Sequence, residues 1–167
     1  METSNNVAPQ LVLYKLHGSI NWKRSSTTKE LFSVEQIESV DADKMEIIFG
    51  REFKLEAADP YLFFAYKFRD LSLVTRLIVT LGYGFGDGHI NKMLTQSLRN
   101  DAERRLLVIR RCSGADCDKV AAEISSLLEL DAGQIIVRPG TAREFLETEN
   151  LAKLLVSMIP PSKDVPF

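Results

Sequence analysis

Residues 77–88 read Leu77-Ile78-Val79-Thr80-Leu81-Gly82-Tyr83-Gly84-Phe85-Gly86-Asp87-Gly88. A short apolar run stops at a glycine-rich turn, and Ile90, Met93, Leu94 and Leu98 then follow at helical spacing. That is a strand, a tight turn and a helix. Outward from this stretch the pattern repeats. Residues 106–109 are a second apolar run, and Val120, Ile124, Leu127 and Leu128 form a second helical stripe. Residues 135–137 are a third run. Pro139-Gly140-Thr141 then precedes a helix with Phe145, Leu151, Leu154, Leu155 and Met158 facing inward. Continuous runs, rather than alternation, mark strands covered on both faces, as in a parallel sheet between helices. The expected class is α/β: a Rossmann-like, doubly wound, mostly parallel sheet with right-handed crossovers.

The first 60 residues are poorer in such units. Residues 11–16 (LVLYKL) read as a buried strand ending at His17-Gly18-Ser19. The polar stretch 23–30 predicts an exposed loop. Ser33 with Gln36 resembles a capping box opening a helix to about Val40. Residues 45–49 predict a short strand closed by Gly50. Asp59 and Pro60 suit the cap and first position of a helix. Five aromatics (Tyr61, Phe63, Phe64, Tyr66 and Phe68) fall in eight residues there, so part of that helix is expected to be sandwiched. A doubly wound nucleotide-binding sheet needs two halves. Residues 77–159 supply one and residues 1–60 do not supply the other. The chain therefore reads as one domain, 1–167, that is the C-terminal part of a larger one and lacks the N-terminal half. Residues 1–10 and 160–167 are expected to be flexible.

Composition narrows the function classes. The 167 residues are 45% apolar and 26% charged, which excludes a wholly disordered chain. Twenty-one Lys and Arg against 23 Asp and Glu give a net charge of −2, which argues against direct nucleic-acid binding. Two cysteines are too few for a secreted disulfide scaffold. The opening METSNNVAPQ has no signal-peptide core, and no apolar run reaches the roughly 18 residues that span a bilayer. The expectation is a reduced, cytoplasmic protein without a membrane partner.

Several motifs can carry chemistry. Four of the nine glycines fall between Gly82 and Gly88, after a strand and before a helix, where backbone can approach an anion closely. The fingerprint G-x-G-x-x-G is not met, because Asp87 replaces the third glycine. The turn thus fits either a ligand, with Asp87 facing a sugar hydroxyl, or a tight bend with Asp87 as helix cap. His17 is expected at a strand's carboxyl end, the ligand edge of open α/β sheets, as a general base or as a structural histidine. Gly140-Thr141-Ala142 suits an adenine or ribose contact, or a plain helix cap at Thr141. Arg110 and Arg111 follow the second strand at the same edge and can meet a ribose or phosphate, or simply form a solvated rim. Arg104 and Arg105 precede it and are expected on a solvated rim. Cys112 and Cys117 supply two of the four ligands a structural zinc needs, so no metal is expected.

Four blocks carry a family resemblance: Lys15-Leu16-His17-Gly18-Ser19-Ile20-Asn21-Trp22, then Ile47-Ile48-Phe49-Gly50, then Gly82-Tyr83-Gly84-Phe85-Gly86-Asp87-Gly88-His89-Ile90-Asn91, then Gly140-Thr141-Ala142-Arg143-Glu144-Phe145-Leu146. In this order they resemble sirtuin-like (SIR2-like) NAD-hydrolase domains of bacterial antiphage defence proteins, in their C-terminal portion. The resemblance implies a Rossmann-type fold and NAD as substrate, cleaved to nicotinamide and ADP-ribose. It implies His17 as the catalytic base. It implies nucleotide contacts at Gly18, Ser19, Gly82, Tyr83, Gly84, Phe85, Asp87, Gly140, Thr141 and Ala142, to which the strand-edge reading adds Arg110. Gly84 replaces the serine of the sirtuin Gly-Thr-Ser. The four zinc cysteines of protein-deacetylating sirtuins are absent, which argues against acetyl-lysine as substrate. The family's Gly-Ala-Gly phosphate loop and its asparagine motif are also absent and would precede residue 1. A missing N-terminal segment, partner domains or self-association is therefore expected to complete the site. The alternative is a non-catalytic nucleotide-binding or assembly module.

Overall fold

A computed structural model describes residues 12–35, 41, 45–47 and 60–159, apart from the side chain of residue 132. It divides into two compact units, 1–68 and 69–167.

The first unit holds short antiparallel pairs. Strand β1 (Gly18–Ser19) pairs with β4 (Glu46–Ile47), and β2 (Trp22–Arg24) pairs with β3 (Leu31–Ser33). The β2–β3 hairpin is closed by Ser25, whose backbone N–H donates to Glu30 O at 2.9 Å and whose hydroxyl accepts from Thr28 N at 3.1 Å. The start of helix α1 (Tyr61–Val74) lays an aromatic cluster beside these strands. Trp22 lies 6.0 Å from Phe64 and 6.5 Å from Tyr61, and Tyr14 lies 5.8 Å from Phe64, measured between ring centroids. The expected sandwich holds for the buried Tyr61 and in part for the half-buried Phe64 and Phe68, whereas Leu62, Phe63 and Tyr66 are exposed.

Three further expectations are corrected in this unit. Val12 and Leu13 are 51% and 76% exposed, and residues 12–15 form no strand. Among the described residues their apolar run finds no partner strand, and without a ladder an apolar run has no reason to extend. Ser33 opens no helix; it pairs with Trp22 in β3. The stretch 23–30 is not all loop, since Lys23 and Arg24 belong to β2. Expectations placed on residues 1–10, Gln36–Val40, 48–50, Asp59 and 160–167 lie outside the described residues.

The second unit is the α/β half read from the sequence. Strands β5 (Leu77–Leu81), β6 (Arg105–Arg110) and β7 (Ile135–Pro139) form a parallel sheet in the order β5-β6-β7. Leu77 pairs with Arg105 and Leu106 with Ile135. Between the strands run α2 (Gly88–Asn100) and α3 (Cys117–Leu128), and after them α4 (Ala142–Leu146) and α5 (Leu151–Met158). Strand period 2 divides the apolar residues between two faces. Leu77, Val79, Leu81, Leu107, Ile109 and Ile136 pack with Phe145, Leu151, Leu154, Leu155 and Met158 of the last two helices. Leu106, Val108 and Ile135 point the other way. The inward residues of α2 and α3 (Leu94, Leu98, Ile124 and Leu128) are buried as well. Each fully buried side chain of this kind contributes roughly 1.5–3 kcal/mol. The Rossmann-like class is thereby observed. Among the described residues no helix is long and apolar enough to cross a membrane.

Arg104 corrects the solvated-rim expectation. It is only 4% exposed. Its guanidinium donates to Thr75 O at 2.5 Å, Leu73 O at 2.7 Å, Ser97 Oγ at 3.2 Å and Ser97 O. The first two carbonyls end α1 and the third lies in the last turn of α2, so the charge fills the orphan acceptors of two helix ends. Gln134 does similar work beside it. Its buried Nε2 faces the carbonyls of Leu98, Asp101 and Arg104 at 2.9, 3.1 and 3.1 Å.

Candidate functional site

In the second unit, the carboxyl ends of the three parallel strands bring together Gly82–Asp87, Arg110 and Gly140–Ala142. Gly82 N donates to Ile109 O at 3.4 Å and Gly140 N to Arg110 O at 3.1 Å, which lines the three strand ends up. Gly82 adopts φ +65° and so begins the bend in a conformation that favours glycine. Phe85 takes φ +56° without being glycine, and its ring is buried at 6% exposure, 4.7 Å from the Tyr83 ring.

A local hydrogen-bond lattice holds this turn. Asp87 Oδ1 accepts from His89 N at 2.8 Å and Ile90 N at 3.0 Å, so Asp87 caps α2. Asn91 Nδ2 donates to Phe85 O at 2.8 Å. The Tyr83 hydroxyl lies 2.8 Å from Asn91 Oδ1 and 3.1 Å from Asp87 O. Burial, then the Asp87 carboxylate, push the Tyr83 phenol up to about 12, against a smaller opposing effect of its bond to the Asp87 backbone. It therefore stays a protonated donor through the physiological range. Asn91 is a residue whose importance sequence reasoning missed. Its spacing from Asp87, one helical turn, was the available signal.

The remaining three glycines behave differently from Gly82. Gly84, Gly86 and Gly88 show no positive φ, and, their own chain neighbours aside, a methyl group added to any of them would meet no atom of the described residues within 4 Å. Neither backbone conformation nor packing demands glycine there.

Thr141 also has an observed structural role. With Glu144 it forms a full capping box at α4: Glu144 Oε2 accepts from Thr141 N at 2.7 Å, and Thr141 Oγ1 accepts from Glu144 N at 3.2 Å. The Thr141 backbone N–H, then its hydroxyl, hold the Glu144 carboxyl below its ordinary range, aided by Arg111 and opposed by desolvation. Arg110 and Arg111 are exposed. After them come Cys112 and Cys117, with sulfurs 3.6 Å apart. Desolvation raises the Cys117 thiol, followed by Cys112, Asp118 and Asp116.

His17, Gly18 and Ser19 belong to the first unit. His17 is exposed in a turn that leads into β1, not at the carboxyl end of a parallel strand as the sequence suggested. Gly18 has φ +82°, and an added methyl would fall 1.9 Å from Glu46 O and 3.1 Å from Tyr61 Oη. The β4 backbone thus crosses directly over the residue after the histidine. The Ser19 hydroxyl sits in a chain: it accepts from Lys15 Nζ at 2.8 Å and donates to Asn21 Oδ1 at 2.6 Å. Arg24 meets Glu46 at 3.3 Å through both Nε and Nη2, which fixes β4 from the other side. Gly18→Ala is expected to destabilise the first unit by more than about 3 kcal/mol, combining left-handed strain with a backbone clash. A thermal melt monitored at Trp22 measures it.

Among the described residues no group of three or more His, Cys, Asp or Glu side chains is arranged to hold a metal ion. The model of one protein family, described as a SIR2-like domain, matches residues 2–128. That span includes the His17 turn and the Gly82–Gly88 turn and ends before Gly140. No curated protein matches the chain.

Proposed function

Since the chain belongs to the SIR2-like domain family, we propose that it carries the catalytic-histidine part of an NAD+ hydrolase, releasing nicotinamide and ADP-ribose. One observation carries the nucleotide half of this reading. Gly84, Gly86 and Gly88 are glycines that packing among the described residues does not require. Backbone left bare at the carboxyl edge of a parallel sheet suits a second molecule lying against it. Arg110 and the N–H groups of the turn then face the phosphates or ribose. Asp87 and Thr141, engaged as caps, shape the walls rather than reach for the ligand. Gly140 and Ala142 flank the second wall.

His17 takes the base role in this proposal. The glycosidic bond breaks toward an oxocarbenium-like transition state, and water adds at the anomeric carbon. The bond from that carbon to the nicotinamide nitrogen breaks and nicotinamide leaves neutral. The proton lost by water passes to the base and on to solvent. Gly18 and Ser19 hold the turn that presents the imidazole. The proposed setting is cytoplasmic antiphage defence by depletion of NAD, the site being completed by another segment, a partner domain or a second copy.

The test is incubation of the purified chain with NAD+ and quantification of nicotinamide and ADP-ribose. Equal amounts of both products, lost in the His17 variant, support hydrolysis. Binding without turnover supports the second reading, a nucleotide-binding or assembly module. That reading is favoured by the exposed Leu62, Phe63 and Tyr66 on α1, an apolar patch of the kind that marks association. Absence of both binding and turnover overturns the nucleotide reading.

The bare glycines give a sharper prediction. The double variant Gly84→Ala, Gly86→Ala is expected to melt within about 0.5 kcal/mol of the parent, as surface changes do. Its affinity for NAD+ is expected to fall about tenfold or more, since methyl groups crowding a fitted contact cost about 1–3 kcal/mol. Calorimetric titration reads the second effect, and unchanged affinity removes the turn from the ligand site.

A further inference from the structure

We propose that Cys112 and Cys117 are a redox pair that closes into an intramolecular disulfide by exchange with a low-molecular-weight disulfide such as oxidised glutathione. Both cysteines are free thiols. Their sulfurs already face each other at 3.6 Å. Cys112 lies two residues beyond the end of the central strand β6, and Cys117 is the first residue of α3. A single turn of 3-10 helix, Gly114–Asp116, folds the chain back between them. Ser113 Oγ donates to Asp116 Oδ2 at 2.6 Å, and the Cys112 thiol lies 3.6 Å from Arg110 O and the Cys117 thiol 3.5 Å from Ser113 O. The fold therefore poises the sulfurs, because one end is fixed on a buried strand and the other on a helix packed against β7.

The 3.6 Å gap exceeds a covalent S–S length of about 2.05 Å by about 1.5 Å, a distance on the scale of side-chain rotation. Both residues are only half-buried, so a tripeptide disulfide can reach them. Two sulfurs without a third ligand among the described residues fit a dithiol better than a zinc site.

The exchange proceeds in two balanced steps. One protein thiolate attacks a sulfur of oxidised glutathione; a protein–glutathione mixed disulfide forms and one glutathione thiolate leaves. The second protein thiolate then attacks the protein sulfur of that mixed disulfide, and the second glutathione thiolate leaves. Two protein thiols are oxidised, and one disulfide is reduced to two glutathiones. The product locks the segment that follows Arg110 and Arg111 at the sheet's carboxyl edge. The inference holds whether or not that edge binds NAD.

The experiment treats the purified chain with oxidised glutathione, blocks residual thiols with an alkylating reagent and records the intact mass. The expected product is a monomer lacking two hydrogens, with both alkylation sites lost and both restored by dithiothreitol. Cys112→Ser and Cys117→Ser should each stop at one added glutathione. If the parent instead keeps two alkylatable thiols, accumulates stable glutathione adducts, or forms disulfides only between copies, the pair is not poised and the proposal fails.

Discussion

His17→Ala should lower nicotinamide release from NAD+ by about a hundred- to ten-thousand-fold, the range for loss of a general base. Folding should barely change. His17 is exposed in the turn before β1, and surface substitutions outside special backbone positions stay within about 0.5 kcal/mol. The left-handed backbone and the close approach to Glu46 belong to Gly18, not to His17. The two effects therefore separate cleanly: product release by chromatography, and stability by thermal melting. His17→Asn adds a further arm, since it keeps a polar side chain of similar size but cannot take the proton. Turnover near the parent's in either variant would assign the imidazole to another task. A melting point far below the parent's would show that the histidine holds the turn together.

Arg104→Met should destabilise the second unit by several kcal/mol, since each buried carbonyl left without a donor costs about 1–3 kcal/mol. The reason is what remains after substitution. The carbonyls of Leu73, Thr75 and Ser97 lose their shared donor inside a water-poor region, and hydrogen bonds to a charged donor are each worth about 1.5–3 kcal/mol. The ion pair to the partly exposed Asp101, at 3.8 Å, is the lesser part. Arg104→Lys should recover only a fraction, because one ammonium cannot reproduce a planar fork reaching two helix ends. Urea unfolding of the three proteins checks the order. Equal midpoints for parent and methionine variant would mean that those helix ends find other donors.

The legibility of this chain differs between its halves for physical reasons. Residues 106–109 read as a strand because the middle strand of a parallel sheet is covered on both sides, and such strands are written as unbroken apolar runs. Asp87 read either as a sugar contact or as a cap, since a short acidic side chain before a helical stripe suits both, and its bonds to His89 and Ile90 show the cap. Residues 12–15 misled because short apolar runs carry no label for whether a partner strand exists. The same ambiguity hid β3, whose identity depends on Trp22 across a hairpin, not on Ser33 itself. Arg104 was misread for a deeper reason. Its partners are main-chain carbonyls, which every residue owns, so nothing in the letters announces them. The site was legible as a set of turns, whereas the lattice of Tyr83, Asn91 and Phe85 needed coordinates.

Strand order in the parallel sheet follows chain order, β5-β6-β7, and this bears on how the protein is made. Each pairing is reached across a single intervening helix, so no strand waits for a distant segment before it docks. Loop-closure entropy is accordingly spent in small instalments, the circumstance in which parallel sheets fold least slowly. During synthesis β6 can be laid on β5 while β7 is still inside the ribosome, and the last two helices then seal a face already assembled. Until then the greasy side chains of Leu77, Val79, Leu81, Leu107 and Ile109 wait for company from α4 and α5.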